Sequence, residues 1–224
     1  MDRGNARVGS KKPETPVAQT GRRLGPRALQ TRHRLLDATA RLLEERSVLD
    51  ISVAEIARHV GTSPATFYHY FADVEEATVA LAERASREMP DLVGRVDGPW
   101  GGGSGMETAR SLTRSFVDHW DAHRAALMLR NLGSERGDER FQALRRAAFA
   151  PLLERFADRI AESQAEGRIS PKIHPYAAAA ALASMLERLA AYHAELEKYG
   201  VSRDDLIETC ARILVQTVHG SPPS

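Results

Sequence analysis

Cysteine is almost missing from this chain. Cys210 is the single thiol in 224 residues, so no intrachain disulfide can form and the fold must be held by burial, which fits a reducing cytoplasm. No run of about 18 apolar residues occurs, so no membrane-spanning helix is expected. The basic N-terminal residues are followed by no apolar stretch, so no secretory signal is expected either. The formal net charge of +1 provides no overall attraction to polyanions. The enzyme signatures GxSxG, GxxxxGK(S/T), GxGxxG and CxxC are lacking, and no catalysis and no cofactor are expected. No internal repeat of fixed period is visible.

What is present is unevenly placed. Residues 1 to 34 hold nine basic residues (Arg3, Arg7, Lys11, Lys12, Arg22, Arg23, Arg27, Arg32 and Arg34) against Asp2 and Glu14, which is 9 − 2 = +7, leaving 1 − 7 = −6 for the rest. Cationic charge at one end suits contact with phosphates, each of which releases counterions when neutralised. Residues 1–24 combine Gly, Pro, Lys, Arg and Thr with little apolar bulk, which predicts a disordered basic tail. A short tail is expected again at 220–224.

The most informative stretch is Ser52 to Phe71, SVAEIARHVGTSPATFYHYF. Ser52 is a good N-cap, and Glu55 three residues later predicts a reciprocal capping box. Val53, Ile56, Ala57 and Val60 recur at i, i+3, i+4 and i+7, one apolar stripe on a helix of about two turns. Gly61 stands where that helix must end in a left-handed residue. Ser63 followed by Pro64 reads as a second N-cap with proline at the first helical position. On this second short helix Phe67 and Phe71 face inward, which leaves Thr66, Tyr68, His69 and Tyr70 outward. Hydroxyls and an imidazole suit phosphate oxygens and base edges, and a recognition helix reads the major groove mostly through its N-terminal residues.

These residues resemble the TetR-type repressors, whose pattern is close to T/S-V-x-x-I-A-x-x-x-G-x-S-x-x-T-x-Y-x-x-F. It stands here as Ser52, Val53, Ile56, Ala57, Gly61, Ser63, Thr66, Tyr68 and Phe71, and the resemblance covers about residues 29 to 89. It implies DNA contacts at Ser52, Thr62, Ser63, Pro64, Ala65, Thr66, Tyr68, His69 and Tyr70. Arg32, in the polar first turn of the preceding helix, is a further phosphate candidate. One departure is plain: the family usually carries a Lys where this chain reads Ala72, Asp73, Val74. Asp73 is expected to cap the next helix, but near DNA it repels phosphate.

The remainder reads as helices, which makes the fold all-α: a three-helix DNA-binding domain at 25–72 and an effector-binding and dimerisation domain at 73–219. Helices are expected at about 29–45, 74–89, 106–122, 124–133, 138–166, 174–199 and 202–219. Pro90 is expected to stop the helix before it, and Pro151 to bend or divide the one around it. GPWGGGSG between Gly94 and Gly105 reads as a flexible loop anchored by Trp100. Ser202 with Asp205 should cap the last helix.

Leu182, Met185, Leu189, Tyr192 and Leu196 step by 3 and 4, as do Leu206, Cys210, Ile213 and Thr217, which predicts seams for other helices. The resemblance implies a homodimer built on the last two helices, placing two recognition helices about one DNA turn apart on a palindromic operator. It also implies a small-molecule pocket, here lined by Phe116, Trp120, Leu127, Phe149, Phe156, Met185 and Tyr192, a set that fits an apolar effector. His119 and His123 are four apart, but two ligands without a Cys partner or an HExxH pattern do not make a site, and no metal is expected. Glu187 and Arg188 are expected to pair with neighbours.

The resulting expectation is a cytoplasmic, sequence-specific transcriptional regulator, a repressor released by an apolar effector. The competing reading is a helical small-molecule carrier or enzyme that keeps its N-terminal helices only as structure. Retention on duplex DNA with a steep salt dependence separates the two.

Overall fold

The computed structural model describes Gln19 and residues 23–220. Contacts divide the chain into two compact units, residues 1–77 and 78–224, and the division falls inside a helix, a few residues beyond the expected 72/73. The expected tails lie outside the described residues except for Gln19, Arg23, Leu24 and Gly220. Leu24 is buried, and Gln19 donates from its backbone N–H to His69 O at 3.1 Å. These residues are therefore docked on the first unit.

That unit contains α1 (Pro26–Glu45), α2 (Val53–Val60), α3 (Pro64–Tyr68) and the start of α4 (Val74–Ser86). Its core is Leu35, Leu36, Leu42, Ile56, Ala57, Val60, Phe67 and Phe71. The expected stripe of α2 is thus inward. Gly61 ends α2 at φ 69° and ψ 39°, the left-handed geometry that glycine adopts without a Cβ penalty. Ser52 caps α2 by accepting from Glu55 N–H at 3.2 Å. The reciprocal half of the box does not form, because the Glu55 carboxylate accepts from Arg46 at 2.5 Å instead. Arg34 donates to Val60 O at 2.6 Å, which satisfies a carbonyl at the free end of α2. α3 has only five residues, far below the length at which a helix is stable alone. Burial of Phe67 and Phe71, worth about 1.5–3 kcal/mol each, holds it in place.

The second unit holds α5 (Met89–Gly94), α6 (Gly102–Glu135), α7 (Glu139–Ala165), α8 (Pro175–Leu196) and α9 (Arg203–Val218). Here several expectations are corrected. α4 ends at Ser86, and Pro90 opens α5 in its first turn rather than stopping a longer helix. Residues 94–105 are no open loop: a 3-10 turn covers Arg95–Asp97 and α6 begins at Gly102. The Trp100 indole N–H donates to Val96 O at 2.9 Å, and the ring lies buried 6.0 Å from Phe156. Trp100 is therefore the expected anchor. A Cβ at Gly105 would collide with the Trp100 carbonyl, so the close approach of that segment requires glycine. The break expected between helices at 106–122 and 124–133 is present: α6 is two helical segments joined across a kink at His123 (φ −129°, ψ 20°). α7 runs through Pro151 undivided. Ser202 and Asp205 form the full capping box at the start of α9. Phe116, Leu152, Phe156, Leu186, Leu206, Leu214 and their neighbours form one continuous apolar core. Among the described residues there is no β-strand, and no helix is long and apolar enough to cross a membrane.

Candidate nucleic-acid interface and core of the second unit

α3 is presented by its cap. Ser63 Oγ accepts from Thr66 N–H at 3.3 Å and lies 3.1 Å from Thr66 Oγ1, so the two hydroxyls are coupled at the N-terminal end of the helix. Ser52, Ser63, Pro64, Ala65, Tyr68 and His69 are exposed, while Thr62 and Thr66 are half-buried. Tyr68 is 53% exposed, with its ring edge-on to Phe67 at 6.0 Å.

Two expected members of this surface belong elsewhere. Tyr70 is buried, because the backbone keeps right-handed helical angles at His69 and Tyr70 follows Phe67 by three residues, the spacing that puts its ring on the inward face beside Phe71. Arg32 is buried as well, its guanidinium 4.9 Å from the centre of the Phe71 ring, so it stacks on the domain's own core. Asp73 Oδ1 accepts from Glu76 N–H at 2.7 Å and caps α4 as expected.

In the second unit the seven expected effector residues all belong to, or pack against, the one apolar core, which does not single them out as a pocket. Phe116, Trp120, Leu127, Phe149 and Phe156 are core members, with Met185 and Tyr192 half-buried against them. They pack as a closed core. Two clefts in this unit, of about 470 and 200 Å³, are lined by other residues, among them Arg95, Glu107 and Ser111 in the first and Arg159, Glu162 and His219 in the second.

The predicted seams separate by burial. Leu182, Leu206 and Cys210 are sealed in the unit's own core and have no surface to offer a partner, a correction to their expected place in an interface. Leu189, Leu196 and Thr217 are half-buried, and Ile213 is exposed. The outward face of α8 is instead Ala177, Ala181, Ser184 and Arg188, which recur at intervals of 4, 3 and 4.

Three side chains converge on one buried carboxylate in this core. Glu187 accepts from Arg130 at 2.9 Å and from Arg145 at 2.5 Å, and Asn131 adds a third donor at 3.0 Å. Burial pulls the Arg130 pKa down to about 10, against the pull of Glu187. Arg188, expected to pair, stacks on the Tyr192 ring at 3.8 Å.

An all-α chain whose first unit displays a capped, five-residue helix behind a glycine turn is a helix-turn-helix protein. Residues 35–76 match the family described as bacterial regulatory proteins, tetR family, and residues 91–224 match the tetracyclin repressor-like C-terminal domain. The chain belongs to the tetR family of regulators. Over 72 residues it is 38% identical to the HTH-type transcriptional regulator BetI of Brucella anthropi, a match spanning 30% of this chain and 37% of that protein. Over 146 residues it is 30% identical to an uncharacterized HTH-type transcriptional regulator of Haemophilus influenzae, covering 62% of this chain and 66% of the relative. The fold is similar to that of Salmonella enterica GusR, with a TM-score of 0.62 and 19% identity over 87% of this chain and 97% of the other. It is also similar to the fatty acid degradation regulator FadR of Bacillus halodurans, at a TM-score of 0.61 and 14% identity, with the same two coverages.

Proposed function

We propose that this tetR-family regulator is a homodimeric repressor that holds a palindromic operator through α3 and releases it when a small apolar molecule enters the second unit. The observation that carries the reading is the outward set of Ser63, Pro64, Ala65, Tyr68 and His69 on a helix anchored from behind by Phe67. Thr62, Thr66 and Ser52 complete the contact surface, with the hydroxyls on phosphates and the Tyr68 ring against a base or sugar. The family's usual Lys contact is missing at Val74, so backbone affinity falls to other cations, of which Arg23, Arg27, Arg34 and Arg58 are exposed in this unit.

A two-fold dimer repeats any face it uses, and the small side chains Ala177, Ala181 and Ser184 with Ile213 allow two copies of α8 and α9 to approach closely. The effector is apolar because Phe116, Trp120, Phe149 and Phe156 present carbon almost exclusively. Those rings are packed shut, so a ligand must open them, starting at the half-buried Met185 and Tyr192. A molecule that prefers the opened state lowers operator affinity by its differential affinity for the two states.

Fluorescence anisotropy with the DNA upstream of the chain's own reading frame tests the central claim. The full-length protein should bind that duplex about a thousandfold or more tighter than random DNA. Equal affinity for both duplexes removes the sequence-specific reading, and no binding at either removes the interface.

A further inference from the structure

Beyond the regulator reading, the fold gathers three metal-ligating side chains that lie far apart in the chain. Glu88 is the residue before α5, and His119 and His123 sit one turn apart on α6. Their ligand atoms all lie within 4.8 Å of one another. Glu88 Oε2 is 2.8 Å from His123 Nε2 and 3.8 Å from His119 Nδ1. The two imidazole centres are 5.0 Å apart. The break in helical angles falls at His123, the residue that reaches Glu88.

We propose that Glu88, His119 and His123 form a binding site for one divalent first-row transition-metal ion of the zinc class.

The strongest sign is His119. Its side chain is 4% exposed, and neither ring nitrogen has a hydrogen-bond partner among the described residues. Two buried, unbonded ring nitrogens cost free energy that an ordinary core position avoids, and buried polar groups in native proteins are nearly always satisfied. Coordination of one nitrogen recovers that loss. An uncharged imidazole carries on one nitrogen the lone pair that coordination needs. The charge of Arg130, which opposes a cation near His119, is already held by Glu187 at 2.9 Å.

The donor set selects the ion. Two imidazoles and one carboxylate suit zinc, cobalt, nickel or ferrous iron, whereas magnesium and calcium require mostly oxygen ligands. With metal–ligand bonds of about 2.0–2.1 Å, tetrahedral ligands lie about 3.4 Å apart. The 2.8 and 3.8 Å separations from Glu88 bracket that value and the two histidine nitrogens lie within 4.8 Å of each other, so side-chain rotation has to draw the two imidazoles together around one ion. An ion would replace the Glu88–His123 hydrogen bond and leave a fourth position for water or a small ligand. Glu88 is exposed, which opens a path of entry.

Cobalt titration of the untagged, chelator-stripped full-length protein tests the site, with circular dichroism confirming the fold of every variant. The expected result is one Co2+ per chain with the visible bands of a tetrahedral complex, displaced by one Zn2+ and not by Mg2+. Glu88→Gln and His123→Gln should each weaken binding at least tenfold. His119→Asn should do the same, and the exposed Glu88 gives the variant least able to disturb folding. Absence of a stoichiometric complex in the folded wild type overturns the proposal, as does wild-type affinity in all three variants. DNA binding plays no part in the readout, so this result stands apart from the fate of the repressor reading.

Discussion

Glu187 Oε1 accepts from the Arg130 guanidinium at 2.9 Å inside the core, where Arg130 is 1% exposed. A charge that deep is tolerated because its partner is fixed, and Glu187 is itself buried and bonded to Arg145 and Asn131. Removing one member of such a pair leaves the other uncompensated, which costs about 3–5 kcal/mol. Glu187→Leu should therefore lower the urea midpoint strongly, while the double change Arg130→Met with Glu187→Leu should recover most of the loss. A double variant as unstable as the single one would show that the pair has no such coupling.

On α3, Tyr68→Ala and Thr66→Ala should each weaken operator binding by about tenfold or more, the scale of one lost contact of about 1–3 kcal/mol. Helical content and oligomeric state should stay as in the wild type, since Tyr68 is exposed and the Thr66 hydroxyl meets Ser63 of its own helix cap. Anisotropy titrations at fixed salt measure the loss. Unchanged affinity in both variants would place the DNA surface elsewhere.

Ile213 is the exposed large aliphatic residue of α9. A charge placed there meets water in a monomer and the partner's apolar face in a dimer, so Ile213→Glu should convert dimers to monomers in sedimentation velocity with little change in thermal stability of the fold. Leu189 is a poorer site for this test, because it also packs on its own core. A variant that still sediments as a dimer would exclude α9 from the interface.

Cys210 is buried, and burial raises its thiol pKa from 9.0 to about 11. The native thiol should accordingly resist alkylation at pH 8 and react once the chain is unfolded. A folded-state pKa above the unfolded one contributes stability that is complete below about pH 9 and lost as pH climbs towards 11. Denaturation midpoints measured between pH 7 and 11 should show that decline, and Cys210→Ala should abolish this part of it. Rapid native alkylation at pH 8 would contradict the burial.

Much of the recognition surface was legible before any coordinates because its signals are local. Ser52, Gly61, Ser63 and Pro64 act on backbone groups within three or four residues, so their spacing alone locates α2, the turn and α3. The apolar stripes of α2 and the phenylalanine pair were readable for the same reason, since helical periodicity places residues on a face without reference to neighbours. Tyr70 was misplaced although it follows Phe67 by three residues, a spacing that already puts it on the inward face with Phe67 and Phe71, and Arg32 was misplaced because a guanidinium can stack on an aromatic ring as readily as reach a phosphate. Glu55 illustrates competition: its capping partner was in the sequence, but Arg46, nine residues away, holds the carboxylate.

Sequence alone determined the helical class, the capped helix-turn-helix and the absence of an intrachain disulfide, because periodicity, caps and the count of thiols need no knowledge of how distant residues meet. Tertiary structure decided which faces of α8 and α9 are spent on the protein's own core, set Trp100 against Phe156, and brought Glu88 to His119 and His123. Those outcomes join residues tens of positions apart, and only the packing of whole helices against one another sets which of them meet.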